Sequence, residues 1–329
     1  MGPITGCPIH GSLAKRHWLR WCLQKMMDDS KTMDASVVDS PAPRGTDFVT
    51  VAYGACRLLV APEFHQEVFE RTLAAGQSDL GARYDLKRIP SAASSRVLRF
   101  SLAINGVDRC LYYKEYVDRS LGDVLKHMVR ASRAQRAFRA SMMLAAHGFE
   151  APEIVALGED RLLLWIRRCF LVTLDATDAW PVFALLSKDS SALDADALRR
   201  KRDLVRTLGH TIGRMHACGI VHGDLRQGNI LARREDGRWR LFFLDNERTR
   251  RFPWVPPRLR RKNLVQIGML RAGLSWTDRL RFWRAYLSVC PSLRRRHKHW
   301  ARRVHARTME RLAKKHAPRH HTEERQGSD

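Results

Sequence analysis

The chain has 329 residues, of which 44% are hydrophobic, enough to build the core of one two-lobed domain or of two ordinary domains. Its formal net charge of +25 implies an anionic partner, namely nucleic acid, an anionic membrane surface or a phosphorylated substrate. The seven cysteines are scattered and form no Cys-x-x-Cys pair, which argues against a disulfide framework or a zinc ribbon. No apolar run is long enough to span a membrane, which predicts a soluble or peripheral cytoplasmic protein.

The N-terminal segment, residues 1–45, is predicted to be a tail. Its stretch from Lys15 to Met27 has the pattern of a short, basic amphipathic helix of the kind that rests on a membrane interface. An unordered extension is the alternative. The proline-containing segment from Ser40 to Gly45 is typical of a linker.

A β-hairpin is predicted over residues 96–116, because the strand pattern is interrupted by Asn105-Gly106, which favours a two-residue turn. Lys114 lies near the end of the return strand. A lysine there either reaches nucleotide phosphates from the inner strand face or remains a solvated edge charge. The small residues from Ser91 to Ser95 allow backbone N–H groups to approach phosphates, although an ordinary polar loop is the alternative.

Further along the chain, helical and strand patterns alternate. A helix is predicted from Arg130 to His147, and the apolar stripe of a longer helix from Asp196 to Cys218 indicates packing against a core. The apolar, β-like stretch from Leu162 to Thr173 lies between them. The segment after it, with Asp175 and Ala176, is predicted to be a hinge whose backbone can hydrogen-bond an adenine.

The pattern with the clearest chemistry begins at His222-Gly223-Asp224. Asn229 comes five residues after Asp224, and a hydrophobic strand then ends in Asp245. In a phosphoryl-transfer site of the protein-kinase type, the first Asp accepts the proton of the attacking hydroxyl, while the Asn and the second Asp hold metal ions. Either piece alone is often only a turn or a helix cap. The combination at this spacing is far more specific.

A second hairpin is predicted between these two pieces. The strands Ile230 to Arg233 and Arg238 to Leu244 flank Glu235-Asp236-Gly237, and Asp-Gly is a hairpin signal. Such a hairpin places Asn229 and Asp245 side by side, as two ligands of one metal site require.

The chain beyond Asp245 is strongly basic. Helices are predicted from Arg279 to Tyr286 and from Arg294 to Lys315, and the second carries Lys, Arg or His on nearly every face. A charge run is usually a solvated face. Because few acidic residues compensate here, contact with membrane phosphate groups or with an anionic substrate is favoured. Residues 318–329 are predicted to be a polar tail.

Taken together, these patterns resemble the protein-kinase-like superfamily and, within it, the bacterial lipopolysaccharide core kinases, the family of Kdo and heptose kinases. The resemblance covers roughly residues 85–300. Its motifs are His222-Gly223-Asp224-Leu225-Arg226-x-x-Asn229-Ile230-Leu231, Leu244-Asp245-Asn246-Glu247-Arg248-Thr249, Lys114 in Tyr-Tyr-Lys-Glu-Tyr, Gly148-Phe149-x-x-Pro152-Glu153, and Asp278-Arg279-Leu280-Arg281-Phe282 with Tyr286.

The resemblance implies a two-lobed α+β fold, with a small β-rich N-lobe expected at 46–175 and a larger α-helical C-lobe at 176–317. It implies an enzyme that uses ATP and Mg²⁺ to phosphorylate a Kdo or heptose hydroxyl of the lipopolysaccharide inner core. The expected partners are that glycolipid and the anionic inner face of the cytoplasmic membrane, which the basic C-terminal region would contact. No nucleic acid partner is expected.

The resemblance also implies a role for each site residue. Asp224 is expected to be the catalytic base, Asn229 and Asp245 the magnesium ligands, Lys114 the contact to the α- and β-phosphates, Asp175 and Ala176 the adenine contacts, and Arg226 and Arg248 contacts to the acceptor. For Arg248, an ion pair with Glu247 or another acid is the alternative.

Three positions depart from protein kinases. Ala137 stands where a helix normally supplies a Glu to the strand lysine, so Lys114 must be oriented by another group. Gly223 replaces the Arg of His-Arg-Asp and Asn246-Glu247 replaces Phe-Gly, which favours a constitutive kinase of a small or lipid-linked sugar. Two alternatives stay open: an atypical kinase-like enzyme acting on a protein or RNA-associated substrate, and a nucleotide-binding pseudokinase scaffold.

Overall fold

The computed structural model describes residues 48–117, 131–163, 165–188, 192–269 and 273–316. The amphipathic helix and linker predicted in the N-terminal tail, and the polar C-terminal tail, lie outside the described residues.

The N-terminal lobe is built on a seven-stranded sheet in which every neighbouring pair is antiparallel. Across the sheet the strands lie in the order β1-β2-β6-β7-β5-β4-β3. In chain order they are β1 (Val49–Tyr53), β2 (Cys56–Val60), β3 (Lys87–Ile89), β4 (Ser95–Ile104), β5 (Val107–Tyr116), β6 (Ile154–Leu162) and β7 (Trp165–Leu174).

Both predicted two-residue turns are present. Asn105 and Gly106 have φ values of 50° and 77°, and Asp236 and Gly237 have values of 49° and 76°. Positive φ at both central residues defines the type I′ turn, whose twist matches that of the strands it joins. The first turn lets β4 and β5 pair along ten residues, from Ser95 opposite Tyr116 to Ile104 opposite Val107.

Two helices of the N-terminal lobe, α1 (Glu67–Ala75) and α2 (Gln77–Arg83), cover one face of the sheet. A short 3₁₀ turn at residues 62–64 precedes α1. On β5, Leu111 and Tyr113 are fully buried in the core beneath these helices. Strand alternation then places Lys114 on the opposite face.

That opposite face packs against α3 (Arg133–Ala146), the helix predicted from Arg130 to His147. Ala137 is buried there in a cluster with Tyr116 and Leu171. Most of the β-like stretch predicted from Leu162 to Thr173 forms β7, which continues through Arg167 and Arg168, while Leu162 is the last residue of β6. Strand β6 runs through Leu162 and the chain reverses before β7, although this turn contains none of the glycine, asparagine or proline residues that mark turns in a sequence.

The C-terminal lobe is mainly helical and has its core around α5, whose buried side chains confirm the predicted apolar stripe. Its helices are α4 (Val182–Leu186), α5 (Ala195–Ala217), α6 (Pro257–Ile267), α7 (Trp276–Ser288) and α8 (His297–His316). Its short strands are β8 (Trp180–Pro181), β9 (Ile220–Val221), β10 (Ile230–Glu235), β11 (Arg238–Phe243) and β12 (Arg250–Arg251).

The expected organisation, a small β-rich lobe and a larger helical lobe, is therefore confirmed. The two lobes are joined by the chain that follows β7. Among the described residues, none of the helices has both the length and the apolar character needed to cross a membrane.

Candidate active site

The cleft between the lobes brings together two predicted residues that lie 131 positions apart. The ammonium group of Lys114, on the face of β5 opposite the N-lobe core, forms an ion pair with Asp245 Oδ1. Asp245 comes two residues after β11 and has left-handed backbone angles, φ 56° and ψ 46°. Such angles are uncommon outside glycine and are best tolerated by Asn and Asp. Backbone strain of this kind is found most often at functional sites.

Asp224 and Asn229 lie in one loop and contact each other. The Asn229 amide nitrogen donates to the backbone oxygen of Asp224 at 2.9 Å and lies 3.4 Å from its Oδ2. The backbone N–H of Leu244 donates to the backbone oxygen of Asn229 at 2.9 Å. Because Asp245 follows Leu244 directly, the predicted hairpin places Asn229 and Asp245 at neighbouring strand ends.

His222 connects the loop that contains Asp224 to the chain segment that leads into Asp245. Its Nε2 donates to the Leu244 carbonyl at 2.9 Å, and its Nδ1 accepts the backbone N–H of Asp224 at 3.1 Å. One nitrogen therefore donates and the other accepts, which is the pattern of a neutral imidazole. Burial lowers the pKa of His222 below its ordinary value, consistent with that neutral form. We therefore assign His222 a bracing role between the loops rather than one in proton transfer.

Two buried amide side chains of α6 hold the loop that carries Asp224, and sequence reasoning missed both. Asn263 donates to the His222 carbonyl at 2.6 Å and accepts the His222 backbone N–H at 3.2 Å. Gln266 accepts the Leu225 backbone N–H at 3.2 Å and donates to Asp224 Oδ1 at 2.8 Å. The signal available in the sequence was a pair of polar residues three positions apart, on one helix face, beside Leu264 and Val265.

Helix α3 is tied to the loop after Asp245 by an ion pair. The Arg133 guanidinium donates to both carboxylate oxygens of Glu247, at 2.9 and 3.0 Å, and to the Ser94 carbonyl at 2.8 Å. Both partners of the ion pair are largely buried. With Ala137 in place of a Glu, the helix contributes a cation to this contact, and Lys114 is held by Asp245 instead.

The loop predicted to approach phosphates, Ser91 to Ser95, joins β3 to β4. Its Ser94 carbonyl accepts the hydrogen bond from Arg133 described above. The same arginine therefore links this loop, the first turn of α3 and the segment after Asp245.

The predicted hinge follows β7. The Asp175 backbone N–H donates to the Cys110 carbonyl at 2.9 Å, and the Ala176 carbonyl accepts the Ala179 N–H at 3.0 Å. These bonds leave the Asp175 carbonyl and the Ala176 N–H as the hinge groups that suit a nucleotide base.

Tyr112, which sequence reasoning did not select, lies two residues from Lys114 toward the hinge and shares its strand face.

Both arginines predicted to meet the acceptor are exposed. Arg226 is 70% exposed, and its Nε lies 2.9 Å from Asp224 Oδ1. Arg248 is 72% exposed, and its Nε lies 3.5 Å from Glu247 Oε1, so the ion pair considered as the alternative is present. In both pairs the guanidinium is the exposed partner, so it remains accessible to an anion from solution.

The residues present fit a kinase-type metal site. No group of three or more His, Cys, Asp and Glu side chains suited to a metal ion occurs in the part of the chain that the structure describes. Sites for Mg²⁺ need few protein ligands, because phosphate oxygens and water complete the coordination. The Asn229 nitrogen donates to Asp224, so Asn229 Oδ1 is the atom of this side chain suited to a cation. Asp245 follows Leu244, whose backbone N–H bonds the Asn229 carbonyl.

A solved structure of another protein has the same fold as this chain. The solved structure of WaaP in complex with acyl carrier protein is 21% identical to this chain, has a TM-score of 0.54, and covers 79% of this chain and 100% of that one. At this identity, the likeness establishes the fold.

Curated relatives match a shorter segment. The EKC/KEOPS complex subunit bud32 of Aspergillus fumigatus is 23% identical over 126 residues, which are 33% of this chain and 44% of the relative. The Aspergillus oryzae protein of the same name is 27% identical over 129 residues, 34% of this chain and 46% of the relative. The match therefore spans less than half of the length of these relatives.

A sequence model of the lipopolysaccharide kinase (Kdo/WaaP) family matches residues 85–286, more than half of the chain. The matched region contains Lys114, Asp224, Asn229 and Asp245. The chain belongs to the lipopolysaccharide kinase (Kdo/WaaP) family.

Proposed function

We propose that this chain transfers the γ-phosphoryl group of ATP to a hydroxyl of a Kdo or heptose residue in the lipopolysaccharide inner core. The observation that carries the proposal is the convergence of Lys114, Asp224, Asn229 and Asp245 in one cleft of a lipopolysaccharide kinase family member. ATP would lie between an N-lobe at 46–175 and a C-lobe at 176–317.

In this proposal Asp224 is the catalytic base. Its carboxylate is oriented by Gln266 and Arg226, and it takes the proton of the sugar hydroxyl as that oxygen bonds to the γ-phosphorus. The bond from the γ-phosphorus to the bridging oxygen breaks, and ADP leaves. Most of the catalytic effect comes from positioning and charge neutralisation.

The nucleotide contacts follow from the same geometry. Lys114 would exchange its contact with Asp245 for the α- and β-phosphates of ATP, and Asn229 and Asp245 would hold Mg²⁺. Bound Mg²⁺ supplies positive charge to the phosphate oxygens. The Asp175 carbonyl and the Ala176 N–H face the adenine.

The acceptor contacts come from exposed cations. Arg226 and Arg248 present guanidinium groups beside the base and the metal ligands. A guanidinium pairs well with a carboxylate or a phosphate, and inner-core sugars carry such groups. The basic C-terminal region, including α8, would hold the anionic inner face of the cytoplasmic membrane.

A second candidate function is suggested by the match to the bud32 subunits. An atypical kinase of that kind would act on a protein or an RNA-associated substrate. A third possibility, a pseudokinase scaffold, is suggested by Ala137. The proposed acceptor is preferred because the family match covers residues 85–286, a longer part of the chain than the 126 to 129 residues of the bud32 matches.

The deciding experiment is transfer of label from γ-labelled ATP with Mg²⁺. Three acceptors are offered separately: lipopolysaccharide core lacking only the Kdo phosphate, core lacking only the heptose phosphate, and a mixture of general protein-kinase substrates. Label in one glycolipid alone is the expected result and identifies the sugar. Label in protein alone would replace the proposal by the second candidate, and nucleotide binding without transfer to any acceptor would replace it by the scaffold.

The proposed role of Asp224 predicts an effect of Gln266, which donates to its carboxylate. Gln266→Leu is expected to lower kcat about 10- to 100-fold, the loss expected for one hydrogen bond to a charged group. KM for ATP is expected to stay within about twofold, because Gln266 contacts the base rather than the nucleotide cleft.

The matched variant is Gln266→Glu, which keeps the size of the side chain and its acceptor oxygen for Leu225 but cannot donate to Asp224. Steady-state kinetics should show the kcat loss in both variants, and thermal melting should show that both fold. A wild-type kcat in either variant would contradict this positioning role.

A further inference from the structure

The turn between β6 and β7 exposes large apolar side chains at the end of the N-lobe sheet. Leu162 is 55% exposed, Leu163 is 92% exposed and Trp165 is 49% exposed. Single exposed apolar residues are normal in folded proteins. Three of them within four positions, at a hairpin end, form an apolar tip, and clustered exposed apolar side chains are the feature that marks an interaction surface.

The backbone at this tip has an unfavourable conformation and irregular strand pairing. Leu163 has a left-handed φ of 55°, a conformation that is a rarity for bulky residues. It buries almost nothing in return. The strand pairing shifts between Asp160 and Arg161, so that Arg167 has no partner across the ladder. Irregular pairing of this kind bends a strand end and re-aims its side chains.

Arginines surround the base of the tip. Arg167 is exposed on β7, and Arg57 is exposed on the adjacent strand β2. Arg161 bonds Glu159 at 3.1 Å, so this acid is already partnered within the chain. An apolar end with cations behind it matches an anionic bilayer, in which Trp and Leu enter the interfacial layer while guanidinium groups meet lipid phosphates.

The register of the sheet places this tip at the phosphate end of the cleft. Ser95, which ends the candidate phosphate loop, pairs with Tyr116, and Tyr116 pairs with Cys169 on β7. The tip extends four residues beyond Cys169, about 13 Å at the rise of a β-strand. The tip therefore lies toward the end of the sheet that carries the candidate phosphate loop, away from the hinge.

We propose that the β6–β7 tip, formed by Leu162, Leu163 and Trp165, inserts into the interface of an anionic phospholipid bilayer. The proposed function supplies the reason for this contact, because a glycolipid acceptor lies in such a surface. The contact itself rests on the exposed tip and its arginines. It differs from the contact expected of the basic C-terminal region, since it needs apolar insertion as well as charge.

The test is flotation of the full chain with vesicles of phosphatidylcholine containing phosphatidylglycerol, and with vesicles of phosphatidylcholine alone. The tip variant is Leu163→Asn with Trp165→Ser. Asparagine tolerates the left-handed backbone, so the hairpin is expected to fold. The control is Val107→Ser, which removes a 51% exposed apolar side chain from the hairpin at the opposite end of the sheet.

Wild type and the control are expected to float with the anionic vesicles, and the tip variant is expected to show at least a tenfold lower partition coefficient. Equal flotation of the tip variant and wild type would overturn the proposal. So would a change from dimer to monomer in the tip variant with unchanged vesicle binding, because the tip would then meet a second copy of the chain.

Phosphorylation of a water-soluble, deacylated core fragment separates this inference from the proposed function. The tip variant is expected to keep wild-type transfer to that fragment while losing transfer to glycolipid in vesicles. A chain that binds vesicles through the tip but phosphorylates neither acceptor would leave the membrane contact standing and remove the proposed function.

Discussion

Asp224→Asn is expected to lower kcat for phosphoryl transfer by about 10²- to 10⁴-fold, the usual contribution of a positioned general base. Asparagine has the same shape but cannot accept the proton of the sugar hydroxyl. Its amide oxygen can still accept the hydrogen bond from Gln266, so the loop should keep its conformation. The ion pair with Arg226 is lost, but that arginine is 70% exposed, so the effect on stability should be small.

The measurement is single-turnover transfer of label, accompanied by binding of an ATP analogue and by thermal melting. Asp236→Asn is the matched control, because it makes the same chemical change in a hairpin turn where asparagine is favoured. Nucleotide binding and melting temperature should be unchanged in both variants. An Asp224→Asn protein with a kcat within threefold of wild type would assign the base to another residue.

Local features of this chain could be predicted from its sequence, because the responsible residues are close together. Asn105-Gly106 and Asp236-Gly237 specify their turns by backbone preference alone. The second turn then places Asn229 beside Asp245, so the hairpin between these candidate ligands followed from spacing. The apolar stripe of α5 could also be predicted, because Leu204, Leu208, Ile212 and Met215 recur at intervals of three or four residues.

Contacts between distant segments could not be predicted in this way. Arg133 and Glu247 are 114 positions apart, and neither has a periodic or motif signal that indicates its partner. The hydrogen bond from Gln266 to Asp224 spans 42 positions and depends on how α6 packs against the loop. The resemblance to kinases assigned Lys114 and Asp245 to one ATP site, but nothing in the sequence indicated the ion pair between them.

The turn at Leu163 could not be predicted from the sequence for a different reason. The sequence there contains only apolar residues, and its pattern favours a continuing strand. The chain nevertheless reverses at a leucine with a left-handed backbone. Sequence rules are expected to fail most often at functional or strained positions, so this turn is the kind of feature that local preferences do not predict.

The structure gives a steric reason for Gly223, which replaces the Arg of the kinase His-Arg-Asp motif. Its replacement of the Arg of His-Arg-Asp suggested the loss of a regulatory contact. In the folded chain, a Cβ atom at residue 223 would lie 2.7 Å from the backbone C and O of Arg248, and still closer to the Cβ of Arg248. The segment that follows Asp245 therefore packs directly against the backbone of the catalytic loop, and only glycine leaves room for it.

This packing predicts that Gly223→Arg, which restores the kinase consensus, inactivates the protein. Either Arg248 or the catalytic loop must move, and because Arg248 lies three residues after Asp245, the spacing of Asp224 and Asp245 changes with it. We expect the free energy of unfolding to fall by about 1–3 kcal/mol, the usual cost of overpacking. Transfer should fall by at least about 100-fold, because small misplacements of catalytic groups have effects of that size.

Gly223→Ala should show the same defects in weaker form, since the clash begins at Cβ. The matched control is Gly81→Ala in α2, where the added Cβ would make an ordinary contact at 3.6 Å with Leu86 Cδ1. Alanine is also the better helix former, so this control should be as stable as wild type or more stable. Urea unfolding and phosphoryl-transfer assays of Gly223→Arg, Gly223→Ala and Gly81→Ala test whether the site requires glycine at residue 223. If Gly223→Arg kept both stability and activity, the close approach of Arg248 would not be needed for the site, and the glycine would be only a sign of lost regulation.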